Sequence, residues 1–275
     1  MTPKGPTTPG PEGARGHWSP PPLINSAWLR WLVMALVLAY LVVAVGSVDV
    51  NWGRIIRGVG RSTQLLSGFL TPDFVTRHRE IVNGVLESLT MAVVSTAIGV
   101  ALAVPVGLGA ATNIAPRPVY LLCRAFITIS RSFQEVIIAL IFVVMVGFGP
   151  MAGMLTLTFA SVGFVGKLLA ESIEAIDGRQ LEAVRATGAS TMQVIGYAVM
   201  PQVLPRYAGL AIYRLDINFR ESSVIGIVGA GGIGTTLNTA FSRYDFPVAG
   251  AVLIVIVVLV MMAEYASGVI RKRLN

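Results

Sequence analysis

Apolar residues in this chain come in long unbroken blocks, with polar residues gathered between them. The first block, residues 27–46 ("AWLRWLVMALVLAYLVVAVG"), is apolar on every helical face and carries tryptophans at its entry. Comparable blocks lie at about 82–108, 118–147, 151–171 and 247–269, and another begins near 203 and runs through a glycine cluster. A helix needs about 20 residues at ~1.5 Å each to cross ~30 Å of hydrocarbon. The pattern therefore predicts an all-α polytopic membrane protein with about six transmembrane helices. Pro105 predicts a kink near the end of the second, and "NIAPRP" and "GFGP" mark breaks. Pro201 and Pro205 are expected to end a short helix before the fifth span.

Two segments fall outside this pattern. Residues 1–26 are rich in Pro and Gly and nearly free of apolar side chains, which predicts a disordered tail and not a signal peptide. After the first span, Trp52, Ile55, Ile56, Val59 and Leu66 recur at helical spacing, with Arg54, Arg57 and Arg61 on another face. That predicts an amphipathic helix lying on the membrane surface. The expected organisation is a tail (1–26), a first span plus surface helix (27–80), and a transmembrane domain (81–275) with a cytoplasmic loop at 171–202.

Composition supports the membrane reading. The 275 residues are 54% hydrophobic and 13% charged, against about 25% charged in soluble domains. The net charge of +7 fits loops that meet anionic headgroups, and does not argue for nucleic acid. The C-terminal Arg-Lys-Arg places the C-terminus in the cytoplasm, and an even span count places the N-terminus there too. Cys123 is the single cysteine, and His17 and His78 are isolated, so neither a disulfide nor a metal site is expected. There is no Walker A lysine motif and no catalytic constellation, so the chain is expected to perform no chemistry and to hold no cofactor.

The stretch 224–237, "VIGIVGAGGIGTTL", contains the G-x-G-x-x-G spacing of a dinucleotide loop in Gly229, Gly231 and Gly234. That fingerprint has meaning only between a strand and a helix of a soluble βαβ unit. Here the flanks are apolar spans, so a nucleotide site is rejected. Two readings stay open: a break or hinge at Gly229, Gly231, Gly232 and Gly234 beside a pathway, or close helix packing.

The most informative segment is 171–205, "ESIEAIDGRQLEAVRATGASTMQVIGYAVMPQVLP". Its charges are spaced as on a helix, and Gly188 allows a turn between two short helical pieces. Glu182-Ala183-Val184, Gly188 and Met200-Pro201 resemble the E-A-A…G…I-x-L-P loop of importer-type ABC permeases, with Val184, Ala198 and Met200 as apolar departures. "RSFQEVIIALIFVVMVGFGPMAG" (131–153), "MPQVLPRYAGLAIYRLDINFRESSVIGIVGAGGIG" (200–234) and "FLTPDF" (69–74) are similar to the permease subunit of phosphonate ABC importers. Gln134 departs from the proline that such permeases carry ahead of Glu135. The resemblance implies a type I importer permease (MetI-like) fold in a bacterial inner membrane. It also implies two ABC ATPase subunits that hold ATP and Mg, a second permease copy, and an extracytoplasmic substrate-binding protein. Glu182, Ala183, Arg185, Gly188, Ala189 and Pro201 would form the ATPase-docking loop.

Charges inside spans are costly, by about 2.5–3.5 kcal/mol on insertion scales, and tend to face a cavity or a partner. Arg131 with Glu135, and Asp216 with Arg220, are each four residues apart, so each is a salt-bridge pair or part of a substrate pathway. Glu221, Ser222 and Ser223 add polar atoms beside Arg220, and arginine suits phosphoryl oxygens. Thr90, Ser95 and Thr96 are expected to bond back within their helix, and Lys167 to snorkel to the interface. Two rivals remain open: a permease for methionine or another amino acid, and a proton-coupled secondary transporter.

Overall fold

The computed structural model describes residues 26–47, 53, 56, 58, 60 and 66–274. All regular structure among them is helical. The chain divides into two compact units, residues 1–59 and 60–275. In the first unit, α1 (Ala27–Gly46) starts at Ser26, whose hydroxyl accepts from the Leu29 N–H at 3.1 Å. No residue of α1 is buried, as suits a helix apolar on all faces. The N-terminal tail lies outside the described residues. So does most of the predicted surface helix, including Trp52, Arg54, Ile55, Arg57, Val59 and Arg61.

The second unit contains α2 (His78–Gly109), α3 (Arg117–Ser132), α4 (Glu135–Val146), α5 (Pro150–Glu174) and α6 (Gly178–Ala186). It continues with α7 (Thr191–Val194), a π-helical turn (Ile195–Val199), α8 (Met200–Gly226), α9 (Ile233–Ser242) and α10 (Phe246–Leu274). The seam between α2 and α5 is its most extensive contact, and α8 packs against both. Close approach explains the small residues along that seam: a Cβ on Gly99 would lie 2.4 Å from Ser161 Cβ. Without hydrophobic drive between helices in lipid, such packing holds membrane bundles together.

Among the described residues four helices are long and apolar enough to span a membrane: α1, α2, α5 and α10. The expected single helix at 118–147 is instead two helices, α3 and α4, bent by 98°. The break falls at Phe133 and Gln134, both in extended backbone, so the bend is present without the proline of related permeases. Counting this pair as one span gives five. The fifth expected span corresponds to α8, whose Arg206, Arg214, Asp216, Arg220 and Glu221 make it a polar helix.

A second correction concerns the prolines. Pro201 and Pro205 do not end a short helix; helical backbone runs through both from Thr191 to Gly226. The π turn shifts the hydrogen bonding by one residue, so the Met200 N–H reaches Ile195 O, ahead of the missing donor at Pro201. The Ala198 carbonyl is satisfied by the Gln202 side-chain amide at 2.6 Å.

Candidate functional site

Three features stand out along α8. At its C-terminal end the glycine cluster forms a tight turn. Gly229 has φ +91°, and the Ala230 N–H bonds back to Ile225 O at 3.3 Å, a Schellman-type stop. Gly231 and Gly232 also have positive φ. The chain then reverses into the ten-residue α9, whose first N–H groups are capped from α2. Glu87 Oε2 accepts from Gly232 N at 3.1 Å, and Ser88 Oγ accepts from Ile233 N at 2.9 Å. The break is where the sequence expected one, and the turn is closely packed: a Cβ on Gly231 would sit 2.6 Å from the Pro150 backbone. The turn thus breaks the helical backbone and is closely packed at once. Gly149 N also bonds Gly229 O at 3.0 Å, joining this turn to the one before α5.

In the middle of α8 lies a buried polar chain. Asn218 donates to Thr96 Oγ1 on α2 at 2.8 Å and to Ser161 Oγ on α5 at 2.9 Å. Arg214 donates to Ser161 Oγ at 2.8 Å and to Glu135 Oε1 on α4 at 2.9 Å. Four helices are thus tied through one network. An arginine that buries 97% of its side chain needs such a partner, because an unpaired buried charge costs several kcal/mol.

This network corrects the sequence expectation for Arg131 and Glu135. The bend separates them onto two helices, and Glu135 pairs with Arg214 instead. Arg131 is exposed and lies over the Phe164 ring, 5.3 Å from its centroid, with Arg214 at 5.4 Å from the same ring. The Asp216–Arg220 pair does form, at 3.7 Å, with Asp216 buried and Arg220 exposed. Ser222 is fully buried and donates to Phe219 O. Glu221 and Ser223 are part-buried. Thr90 and Thr96 bond back within α2 as expected, but Ser95 reaches across to Met154 O on α5. The sequence reading missed Arg214, Asn218, Ser161 and Glu87. Arg214 and Glu87 carried the same signal as the chosen residues, a charge inside an apolar block.

At the other end of α8 the loop between α5 and α8 is built as two short helices. Asp177 caps α6 by accepting from Arg179 N at 3.0 Å. Gly188, at φ +79°, turns the chain, and Ser190 with Gln193 forms a capping box for α7. Leu181 and Val194 are buried against the ends of α2 and α5, through Ala103, Ala111, Leu169 and Ile173. Arg185 reaches Asn113 O at 3.3 Å. Glu182, Ala183, Arg185, Gly188 and Pro201 remain exposed, with Ala189 part-buried beside a shallow depression lined by Ala183, Thr187, Gly188 and Tyr197. Among the described residues no cluster of three or more His, Cys, Asp or Glu could hold a metal ion.

Residues 103–274 match the family described as binding-protein-dependent transport system inner membrane component. A phosphite transport system permease protein, PtxC of Stutzerimonas stutzeri, is 40% identical over 250 residues, covering 89% of this chain and 90% of the relative. The phosphate-import permease protein PhnE of Mycolicibacterium smegmatis is 40% identical over 214 residues, covering 78% of this chain but only 40% of that longer protein. Among solved structures, an inward-facing MetNI methionine ABC transporter chain superposes with a TM-score of 0.61 at 27% identity, covering 71% of this chain and 96% of that one. The fold, the loop between α5 and α8 and these matches agree: the chain belongs to the binding-protein-dependent transport system inner membrane components, the multi-pass permeases of type I ABC importers.

Proposed function

We propose that this permease carries phosphonate, or phosphate, across the inner membrane, driven by ATP hydrolysis on two partner ATPase subunits. The observation that carries the coupling half of this reading is the loop of α6 and α7. It is anchored on the bundle by Leu181 and Val194, yet presents Glu182, Ala183, Arg185 and Gly188 outward. A lever must be firm on one side and accessible on the other. The solute class is supported by the relatives named for phosphite and phosphate transport.

In this reading two copies of the chain pair around a path, and an extracytoplasmic binding protein delivers the solute. The α6 end and both termini face the cytoplasm. Closure of the ATPases on ATP draws the α6–α7 loops together, and α8, continuous from the loop through the prolines, transmits that motion to the glycine turn. The turn moves with the Gly147–Pro150 segment to which it is bonded. Arg131, Arg220, Glu221 and Ser223 line the pathway, while Glu135 and Ser222 serve the bundle.

The test is reconstitution with the ATPase and binding protein in proteoliposomes. Glu182→Lys is expected to abolish ATP-driven phosphonate uptake while the chain still inserts. Full uptake by that variant, or uptake by wild type without the ATPase, would overturn the proposal.

A further inference from the structure

Between α3 and α5 lies a pocket of about 260 Å³ lined by Arg124, Ile127, Thr128, Arg131, Ser132 and Lys167. Three of the six lining residues are cations, two are hydroxyls and none is acidic. The pocket is on the α6 side of the bundle, since Lys167 stands about two turns before the end of α5. Its cations are not equally committed. Arg124 is held by Glu174 at 2.8 Å and by Ala110 O at 2.9 Å. Lys167 is 3.7 Å from Glu171, too long for a hydrogen bond, and 41% of its side chain is exposed. Arg131 makes no ion pair among the described residues and is held only by its ring contact with Phe164. The hydroxyls of Thr128 and Ser132 donate to carbonyls one turn back, so the donors for an anion are the cations.

A forked guanidinium and an ammonium with spare donors, lining one pocket, form a receptor for a tetrahedral oxyanion. The clefts beside α9 are instead lined by Glu80 and Glu87, with no basic lining residue, although Arg77 pairs with Glu80 at 3.1 Å.

We propose that the Arg131–Lys167 pocket binds a phosphoryl-type oxyanion on the α6 side of the permease, with Arg131 and Lys167 as the contacting cations and Arg124 positioning the α3 side of the pocket. Two sources share that chemistry, the released solute and the headgroup of an anionic phospholipid. The first source rests on the phosphonate reading above; the second does not.

The test uses the full chain in nanodiscs of zwitterionic lipid, with phosphorus NMR of added methylphosphonate and inorganic phosphate. Wild type is expected to broaden these lines saturably. Arg131→Gln/Lys167→Gln should weaken the effect at least tenfold, and the charge-keeping pair Arg131→Lys/Lys167→Arg should retain it. If free anions give no broadening, but anionic phospholipid co-purifies with wild type and not with the glutamine pair, the pocket is a lipid site and the proposal stands. If wild type and the glutamine pair, equally helical and monodisperse, do not differ in either measurement, the proposal is overturned. Equal loss in the charge-keeping pair would mark the effect as packing and also overturn it. Anion binding without ATP-driven uptake in proteoliposomes would sink the transport reading alone.

Discussion

The two ends of α8 both carry glycines, and the glycines do different work. At the C-terminal end a Cβ on Gly226 would fall 2.6 Å from Gly231 O, and one on Gly234 would fall 2.0 Å from Ser223 O. At the other end Gly188 and Gly196 have nothing within 4 Å. The first cluster is required by space. The second set is required only where backbone conformation demands it, at Gly188 with φ +79°. On the coupling proposed above, one end of the lever is wedged into the bundle and the other is open to a partner, and the glycines follow that division.

The largest expected effect breaks the wedge. Gly231→Ala combines positive-φ strain with a backbone overlap, each about 1–3 kcal/mol. The variant should lose folded, detergent-stable protein in a thermal melt, whereas Gly196→Ala should melt as wild type does. If both melted alike, the contrast between the ends would fail.

Next comes the anchor of the open end. Leu181→Ala removes a buried side chain, a change of about 2–5 kcal/mol in a packed core. The loop should become protease-sensitive between Asp177 and Gly188 and coupled uptake should fall steeply. Gly188→Ala should cost less, about 1–2 kcal/mol of left-handed strain, with Gly188→Asn recovering part of it. Coupled ATPase activity in the reconstituted complex ranks the three.

Arg220→Ala sharpens the comparison between pathway and scaffold charges. Arg220 is exposed and Arg214 is buried. Loss of Arg220 should reduce uptake several-fold, and combining it with Asp216→Asn, so that no buried carboxylate is stranded, should keep the melt near wild type, while Arg214→Ala should lower the melt itself by stranding Glu135. Equal losses of assembly in both would assign Arg220 to the scaffold.

The smallest effect concerns Asp73, in the segment before α2. The hydroxyl and N–H of Thr76 and the N–H of Val75 hold its carboxyl below the usual carboxylate range. Because the folded value is depressed, the turn's contribution is full above the unfolded value of about 3.9 and is lost as pH falls through the folded one. Asp73→Asn should flatten that acid limb of the melting profile by a barely resolved amount, since the group is exposed.

Much of this was legible beforehand, because the determining physics is local. A block of apolar residues about twenty long has only one stable form in lipid, so α1, α2, α5 and α10 follow from composition. The loop of α6 and α7 was readable from its charge spacing and from Gly188. The bend between α3 and α4 was not. Its apolar pattern is continuous, and the bend coincides with packing and with Glu135 turning to meet Arg214, a residue far away in sequence. The same reason undid the Arg131–Glu135 pairing: spacing of four residues implies contact only while the helix continues. Pro201 misled because a π turn upstream accommodates its missing donor, and Pro205 because the helix continues through it.

The sequence by itself determined the solvent, the helical class and the breaks after α2, before α5 and at the glycine cluster, since these depend on each segment's own hydrophobicity and turn residues. Only the tertiary structure decided which charges are scaffold and which face outward, because burial and partner choice depend on neighbours dozens of residues away. Arg214 and Arg131 look alike in the chain. One is buried with partners on α4 and α5 and the other opens onto a cationic pocket, and that difference in surroundings sets what each can bind.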